Sequence, residues 1–267
     1  MNKNISSIKI SALLILAVFG FSGCSSAENA DLSTVNKPLV NQVQNSSANK
    51  SAENPVKTES VGICTNKYFP ISDGGQWRYR VSAANKTDTY TYTVNHQSGA
   101  DKFTQTQDIS LGKETELKID WLCFPEGLRT ASYGQITGNP NVGMKLDSKG
   151  GSGITLPKDT DWQTGKKWTS EYDLGGTFEM KPIKGNVTGK ATLNHEIISL
   201  DEKVKVSAGE FTAAKVKTTI SLNVTFQNRQ LPAENITMTN WYAPDVGLVK
   251  QEVTGTMGKM TMDYLGK

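Results

Sequence analysis

The chain has 267 residues and carries 29 Lys and Arg against 26 Asp and Glu. Without Lys3 and Lys9, which belong to a leader, the balance is 27 against 26, and such near-neutrality argues against the clustered basic surface of a nucleic-acid binder. The densest basic stretch, residues 203–217, is interleaved with Glu202 and Glu210 and reads as a solvated strand face.

Residues 1–23 read as an export signal. Lys3 and Lys9 open it, residues 10–21 are almost wholly apolar, and small residues precede Cys24. The apolar run is about a dozen residues, against the roughly 20 that a spanning helix needs, so membrane attachment has to come from elsewhere. Phe21-Ser22-Gly23-Cys24 resembles the lipobox of bacterial lipoproteins, with Phe21 where an aliphatic residue is usual. The resemblance implies cleavage before Cys24 and diacylglycerol with palmitate-type chains on its thiol; two acyl chains anchor stably where one does not. An ordinary secretory signal with an incidental cysteine is the competing reading. Ser25 in turn implies the outer membrane if the cell is Gram-negative, and otherwise the outer face of the cell membrane. Residues 24–61 are rich in Asn, Ser, Ala, Lys and Glu and lack aromatics. They cannot bury enough apolar surface to offset chain entropy, and predict a disordered tether with a reach of about 30 to 36 Å.

Residues 62–267 are long enough for one domain with a sizeable core, and period-two alternation predicts that it is all-β. Trp77, Tyr79 and Val81 share one face against Arg78 and Arg80, and Tyr90, Tyr92 and Val94 alternate with threonines. Short polar stretches at residues 83–87 and 97–99 read as meander turns. Leu117, Ile119, Trp121 and Cys123 alternate with Glu116, Lys118 and Asp120. Residues 128–133 leave room for a short helix; no longer helical stripe exists. Residues 134–153 hold six glycines and Pro140, and predict a long connection between two groups of strands. The cleanest strand runs through Val216, Thr218, Ile220, Leu222, Val224 and Phe226, preceded by a turn at Ser207-Ala208-Gly209. Pro244-Asp245-Val246-Gly247 reads as another turn, and Met260, Met262 and Tyr264 repeat the alternation near the end. Phe69-Pro70 leading to Gly74 and Trp77 is echoed by Leu156-Pro157 leading to Gly165 and Trp168. In both places a turn opens a strand and sets a Trp on the core side.

Candidate chemistry is sparse. Lipidation uses Cys24, which leaves Cys64 and Cys123 as an even pair; in an exported protein this points to a disulfide. Two buried thiols or a redox pair are the alternatives, the latter disfavoured because Cys-x-x-Cys is absent. His96 sits in a turn and His195 in an alternating run, neither with the His or Cys neighbours of a metal site. Gly-x-Ser-x-Gly is absent. Gly150-Gly151-Ser152-Gly153 lacks the Lys and helix of a phosphate loop. Asp159 with Asp161 and Asp201 with Glu202 fall in expected turns. No catalytic residue, metal ligand or cofactor is therefore assigned. Trp77, Trp121, Trp168 and Trp241 fill a core or, with Met257, Met260 and Met262, line an apolar concavity for a ligand.

Together these landmarks resemble a family of exported bacterial β-domains described as TapB-like or of unknown function. They are Tyr68-Phe69-Pro70 with Gly74, Trp77 and Tyr79; Trp121-Leu122-Cys123 with Gly127-Leu128; and Gly165 with Trp168. The others are Ser207-Ala208-Gly209-Glu210-Phe211 and Trp241-Tyr242-Ala243-Pro244 with Gly247-Leu248. The resemblance implies an exported all-β domain with Cys64 bridged to Cys123, and brings no catalytic residues. More distantly the domain resembles the curved sheets of the lipoprotein carriers LolA and LolB, whose concave face holds acyl chains. The expected architecture is an antiparallel meander curved into an open or half barrel. The expected role is a non-catalytic envelope module that contributes structure or binds another envelope protein; the alternative is a carrier or receptor for a lipid or other apolar ligand.

Overall fold

The computed structural model describes residues 64–83, 86–97, 100–110, 114–137, 142–180, 182–255 and 258–267; the leader, Cys24, the tether and Met257 lie outside them. In chain order the strands are β1 Gln76–Ala83, β2 Lys86–Asn95, β3 Lys102–Ser110, β4 Glu114–Phe124 and β5 Gly127–Thr130. They continue with β6 Ser132–Thr137, β7 Val142–Ser152, β8 Leu156–Pro157, β9 Lys167–Met180 and β10 Ile183–Val206. The rest are β11 Gly209–Phe226, β12 Arg229–Gln230, β13 Glu234–Ala243, β14 Gly247–Gly255 and β15 Gly258–Gly266. Among the described residues the only helical turn is a 3-10 turn at Asp159–Asp161.

All strands join one antiparallel sheet in the order β3-β2-β1-β15-β14-β13-β11-β10-β9-β7-β6-β4-β5-β8. The expected meander is met: the sheet curls into a half-barrel, and a further pairing of β3 with β4 carries the ladder round. Alternation explains the curl. Tyr79 and Val81, Tyr172 and Leu174, Leu193 and Ile197, Ile220 and Leu222, and Met260 and Met262 are all buried on the inner face. Each such side chain gives roughly 1.5 to 3 kcal/mol on leaving water, and one sheet can bury a single face completely only by wrapping it.

Gly74 and Gly165 both lie at positive φ, 70° and 82°, immediately before the strands that carry Trp77 and Trp168. The local half of the internal echo is therefore physical: a left-handed residue reverses the chain, and the Trp three positions on turns inward. The Pro244–Gly247 turn joins β13 to β14 with Asp245 and Gly247 at positive φ.

Three expectations change. Residues 134–153 are mostly strand, not a long connection: β7 pairs with β9 from Val142↔Met180 to Ser152↔Glu171 and with β6 on its other side. The glycines weaken strand propensity locally, but two flanking ladders and the burial of Met144 and Leu146 override it. Residues 128–133 enter β5 and β6, with Leu128 paired to Cys123 and Leu156 in place of a helix. Asp201 and Glu202 sit in β10 beside a bulge, not in a turn.

Two elements close one end of the half-barrel. Residues 64–75 form a strap across it, and Cys64 is disulfide-bonded to Cys123 with Cα atoms 5.1 Å apart. The second element is an arm. β10 keeps its ladder with β9 up to Glu196, and β11 its ladder with β13 from Ala214. Beyond these points the β10–β11 hairpin bends at bulges between Ile197 and Glu202. Its tip reaches β15 and β1, where Ala208 N donates to Tyr264 O at 3.1 Å and Arg80 Nη1 to Ser207 Oγ at 3.2 Å.

The bridge closes a sequence separation of 59 residues, so replacing Cys64 and Cys123 by Ser is expected to lower stability by about 4 kcal/mol in the chain-entropy account. Urea denaturation reads this directly, and an unchanged midpoint would contradict it.

Candidate functional site

His195 lies on the inner face because Leu193 and Ile197, its neighbours two positions away, point there too. Register places it between Trp168 of β9 and Thr218 of β11. Ser170 Oγ lies 2.9 Å from His195 Nε2, and His195 Nδ1 lies 2.9 Å from Thr218 Oγ1. The Trp168 ring stacks on the imidazole with centroids 4.8 Å apart. Burial pushes the His195 pKa down to about 4, so the imidazole is neutral near pH 7 and each ring nitrogen is matched by a hydroxyl.

A hydroxyl–imidazole–hydroxyl row has the composition of a nucleophile, a base and its orienter. Exposure decides against that chemistry: Ser170 is 0% exposed, Thr218 1% and His195 4%. Three polar groups so placed cost about 1 to 3 kcal/mol each if left unpaired, and pairing them in one register fixes β9, β10 and β11 against slippage. A second buried polar group lies on β13 and β14. Asn240 Nδ2 donates to Tyr242 Oη at 3.0 Å, and Gln251 Nε2 to Asn240 Oδ1 at 2.7 Å.

The four tryptophans considered as ligand residues are not gathered at one place. Trp77 and Trp241 are buried, their indole N–H groups donating to Val246 O at 2.8 Å and Glu202 Oε1 at 2.9 Å. Trp168 donates to Ile154 O at 3.1 Å. Trp121 is buried between Phe69 and Phe103, with ring centroids at 5.0 and 5.6 Å, and its N–H is unpaired. That costs about 1 to 3 kcal/mol, against roughly 5 kcal/mol from burying about 200 Å² of indole. Packing wins. Met260 and Met262 are buried, and Tyr92 donates to Met262 Sδ at 3.3 Å.

Sequence reasoning missed the arm's fastening. Burial alone would raise the Glu202 pKa, but hydrogen bonds from Trp241 and Lys215 outweigh it and hold the carboxyl below its usual range. Lys215 and Lys250 lie over the Trp241 ring, 5.1 and 4.8 Å from its centroid. A hollow of about 420 Å³ is bordered mainly by the outward-facing Lys167, Thr169, Asn194, Glu196, Lys217 and Thr219, and also touches Trp168 and His195 between them. Its Lys167–Glu196 ion pair at 3.4 Å and Thr169–Asn194 hydrogen bond at 2.9 Å are typical of a solvated strand face. Among the described residues no group of three or more His, Cys, Asp or Glu is placed to hold a metal.

The buried imidazole makes a pH prediction. Its folded pKa lies below the unfolded value of 6.5, so between pH 6.5 and 4 the unfolded chain takes up a proton that the folded one does not. Stability is full above pH 6.5 and falls on acidification through that window by about 3 kcal/mol. Glu202 and Glu252, whose pKa values are also lowered, contribute only as pH falls through the ordinary glutamate range. Urea midpoints taken between pH 7 and 5.5, above the glutamate range, should therefore decline in the native chain and run flat in His195→Gln; parallel curves would refute the assignment.

Residues 75–263 match the model of a family described as DUF3108-like. No curated protein matches the chain. Among solved structures it is similar to a Bacteroides fragilis NCTC 9343 protein described as exported and of YmcC-like fold. Identity there is 15%, with 76% of this chain and 99% of that chain covered and a TM-score of 0.48. A Parabacteroides distasonis ATCC 8503 protein described as a lipoprotein is similar at 16% identity, covering 75% of this chain and 98% of that one with a TM-score of 0.44. The family match spans every strand from β1 to the greater part of β15, and with it the landmarks from Trp77 to Leu248. The chain thus belongs to the DUF3108-like family, a family of domains of unknown function.

Proposed function

We propose that the chain is a lipid-anchored envelope lipoprotein whose β domain is non-catalytic and serves as a structural or protein-binding module. The observation that carries the second half is the filled inner face. Trp77, Tyr79, Tyr92, Tyr172, Phe178 and Trp241 are buried there or against the strap and arm. Their polar atoms bond to other parts of the domain, as Tyr79 Oη does to Leu248 O at 2.9 Å. An acyl chain inside would have to displace these contacts, which counts against the carrier reading. The hydroxyl–imidazole row, with Ser170, His195 and Thr218 all buried, is read as a structural pairing for the same reason. The anchored half is supported by the leader and by Cys24 after Ser22-Gly23, with the tether giving the domain its distance from the bilayer.

Two measurements test this. Cys24→Ser should move the protein from membranes to the soluble envelope fraction and abolish incorporation of labelled palmitate; membrane retention without label would sink the anchored reading. Native mass spectrometry of the exported chain should show the bare polypeptide mass, apart from the lipid on Cys24. Extra mass that leaves on denaturation and extracts as an apolar molecule would establish the carrier instead.

A further inference from the structure

The strap is fastened at many points, each of them weak. Asn66 Nδ2 donates to Pro157 O at 2.9 Å, Lys67 N to Asp159 Oδ1 at 2.7 Å, and Asp245 N to Lys67 O at 2.7 Å. The Tyr68 ring stacks on Trp162 at 4.0 Å, and Phe69 lies against Trp121 at 5.0 Å. Gly74 N then donates to Val94 O at 2.9 Å, where the strap joins β1. These ties follow one another along the chain. A pull on residue 64 toward its amino-terminal side would load them singly, from Asn66 onward, as a strip is peeled.

Cys64 stands ahead of the whole row. Its bridge leads to Cys123, the next-to-last residue of β4 at the end that the strap covers. β4 is held along its length by β3, from Lys102↔Leu122 to Ser110↔Glu114, and on its other side by β5 and β6. Cys123 N also donates to Asp101 O at 2.8 Å. A pull at Cys123 along the strand axis loads both ladders together, and many hydrogen bonds must fail at once.

We propose that the Cys64–Cys123 bridge is the load path of the tether: tension arriving from the amino-terminal side enters the sheet through β4 and bypasses the strap. Its biological purpose rests on the anchored reading above; its mechanics do not. The strap then stays over Trp121, Trp162 and Phe103 while the anchor is pulled, and these rings are not uncovered close to a bilayer. A cysteine ahead of every tie described for the strap, bridged to an interior strand in place of the neighbouring β8 or β13–β14 turn, is the arrangement this role requires.

Single-molecule pulling tests it on the exported chain carrying Cys24→Ser. The chain is held at its amino terminus and at an azide-bearing side chain replacing Ala233, which is exposed between β12 and β13 at the far end of the sheet. With the bridge intact, no lengthening should precede unfolding of the sheet. With Cys64→Ser and Cys123→Ser, an earlier, weaker step of roughly 4 nm should appear as residues 65–75 peel away at about 3.5 Å each. The same step in the bridged chain, or its absence from the double variant, overturns the proposal. If the double variant does not fold, the bridged Asn66→Ala chain decides: an unchanged unfolding force supports the load path, and a lowered one places the load on the strap. Because no lipid is present, these outcomes are independent of whether Cys24 is acylated, which the fractionation and palmitate label settle separately.

Discussion

The inner rows of β9, β10 and β11 can leave water only if the rest of the meander comes round to cover them. Ala191, Leu193, Ile220, Leu222 and Val224 face one way along long ladders, and the opposite face of the same strands is Lys, Thr, Asn and Glu. A single sheet with one apolar face has two solutions: stack on another layer or curl on itself. No helix in the described chain can cover that face, so the sheet curls, and the pairings of β1 with β15 and of β3 with β4 follow from it. Curling also removes edges that would otherwise offer unpaired backbone to neighbouring chains.

A curled sheet is open at its ends, and the aromatic side chains concentrate where one end has to be shut. The strap contributes Tyr68 and Phe69, the segment after β8 contributes Trp162, and β13 contributes Tyr242, whose ring meets Trp162 at 5.8 Å. The arm closes the remainder, with Phe211 beside Tyr264 at 6.0 Å and Glu202 on the Trp241 indole. Large flat rings suit this task because each covers much area while fixing few torsions. The consequence is a domain whose aromatic side chains are buried against one another at the closed end.

Buried polarity in this domain serves register. His195 between Ser170 and Thr218, and Gln251 on Asn240, occupy positions where a one-residue slip would turn them outward and strand their partners. Long strands of Thr, Val and Lys have little else to distinguish one register from the next. Specific polar pairs at a few inner positions supply that distinction at a modest cost in desolvation.

Strand content, the direction of each strand's apolar face and the turns at Gly74, Gly165 and Ser207–Gly209 were legible in the residues, because alternation and left-handed glycines are local properties. So was the pairing of Cys64 with Cys123 once the family resemblance was admitted, and so was the inward turn of Trp77 and Trp168. The strands within residues 134–153 were not legible: six glycines say loop to any local rule, and only the ladders of β6 to β4 and of β7 to β9 make strands of the described part. Nor could alternation show that Thr218, one polar residue in an apolar row, was the partner of His195, since the two lie on separate strands. The arm was hidden for the same reason. Its bend comes from bulges in β10 and its fastening from Glu202 meeting Trp241, a contact between residues 39 positions apart. By itself the sequence determined which face of each strand would be buried; only the tertiary structure decided that the buried faces fill their own interior, because that depends on how far the sheet curls and on what closes its end.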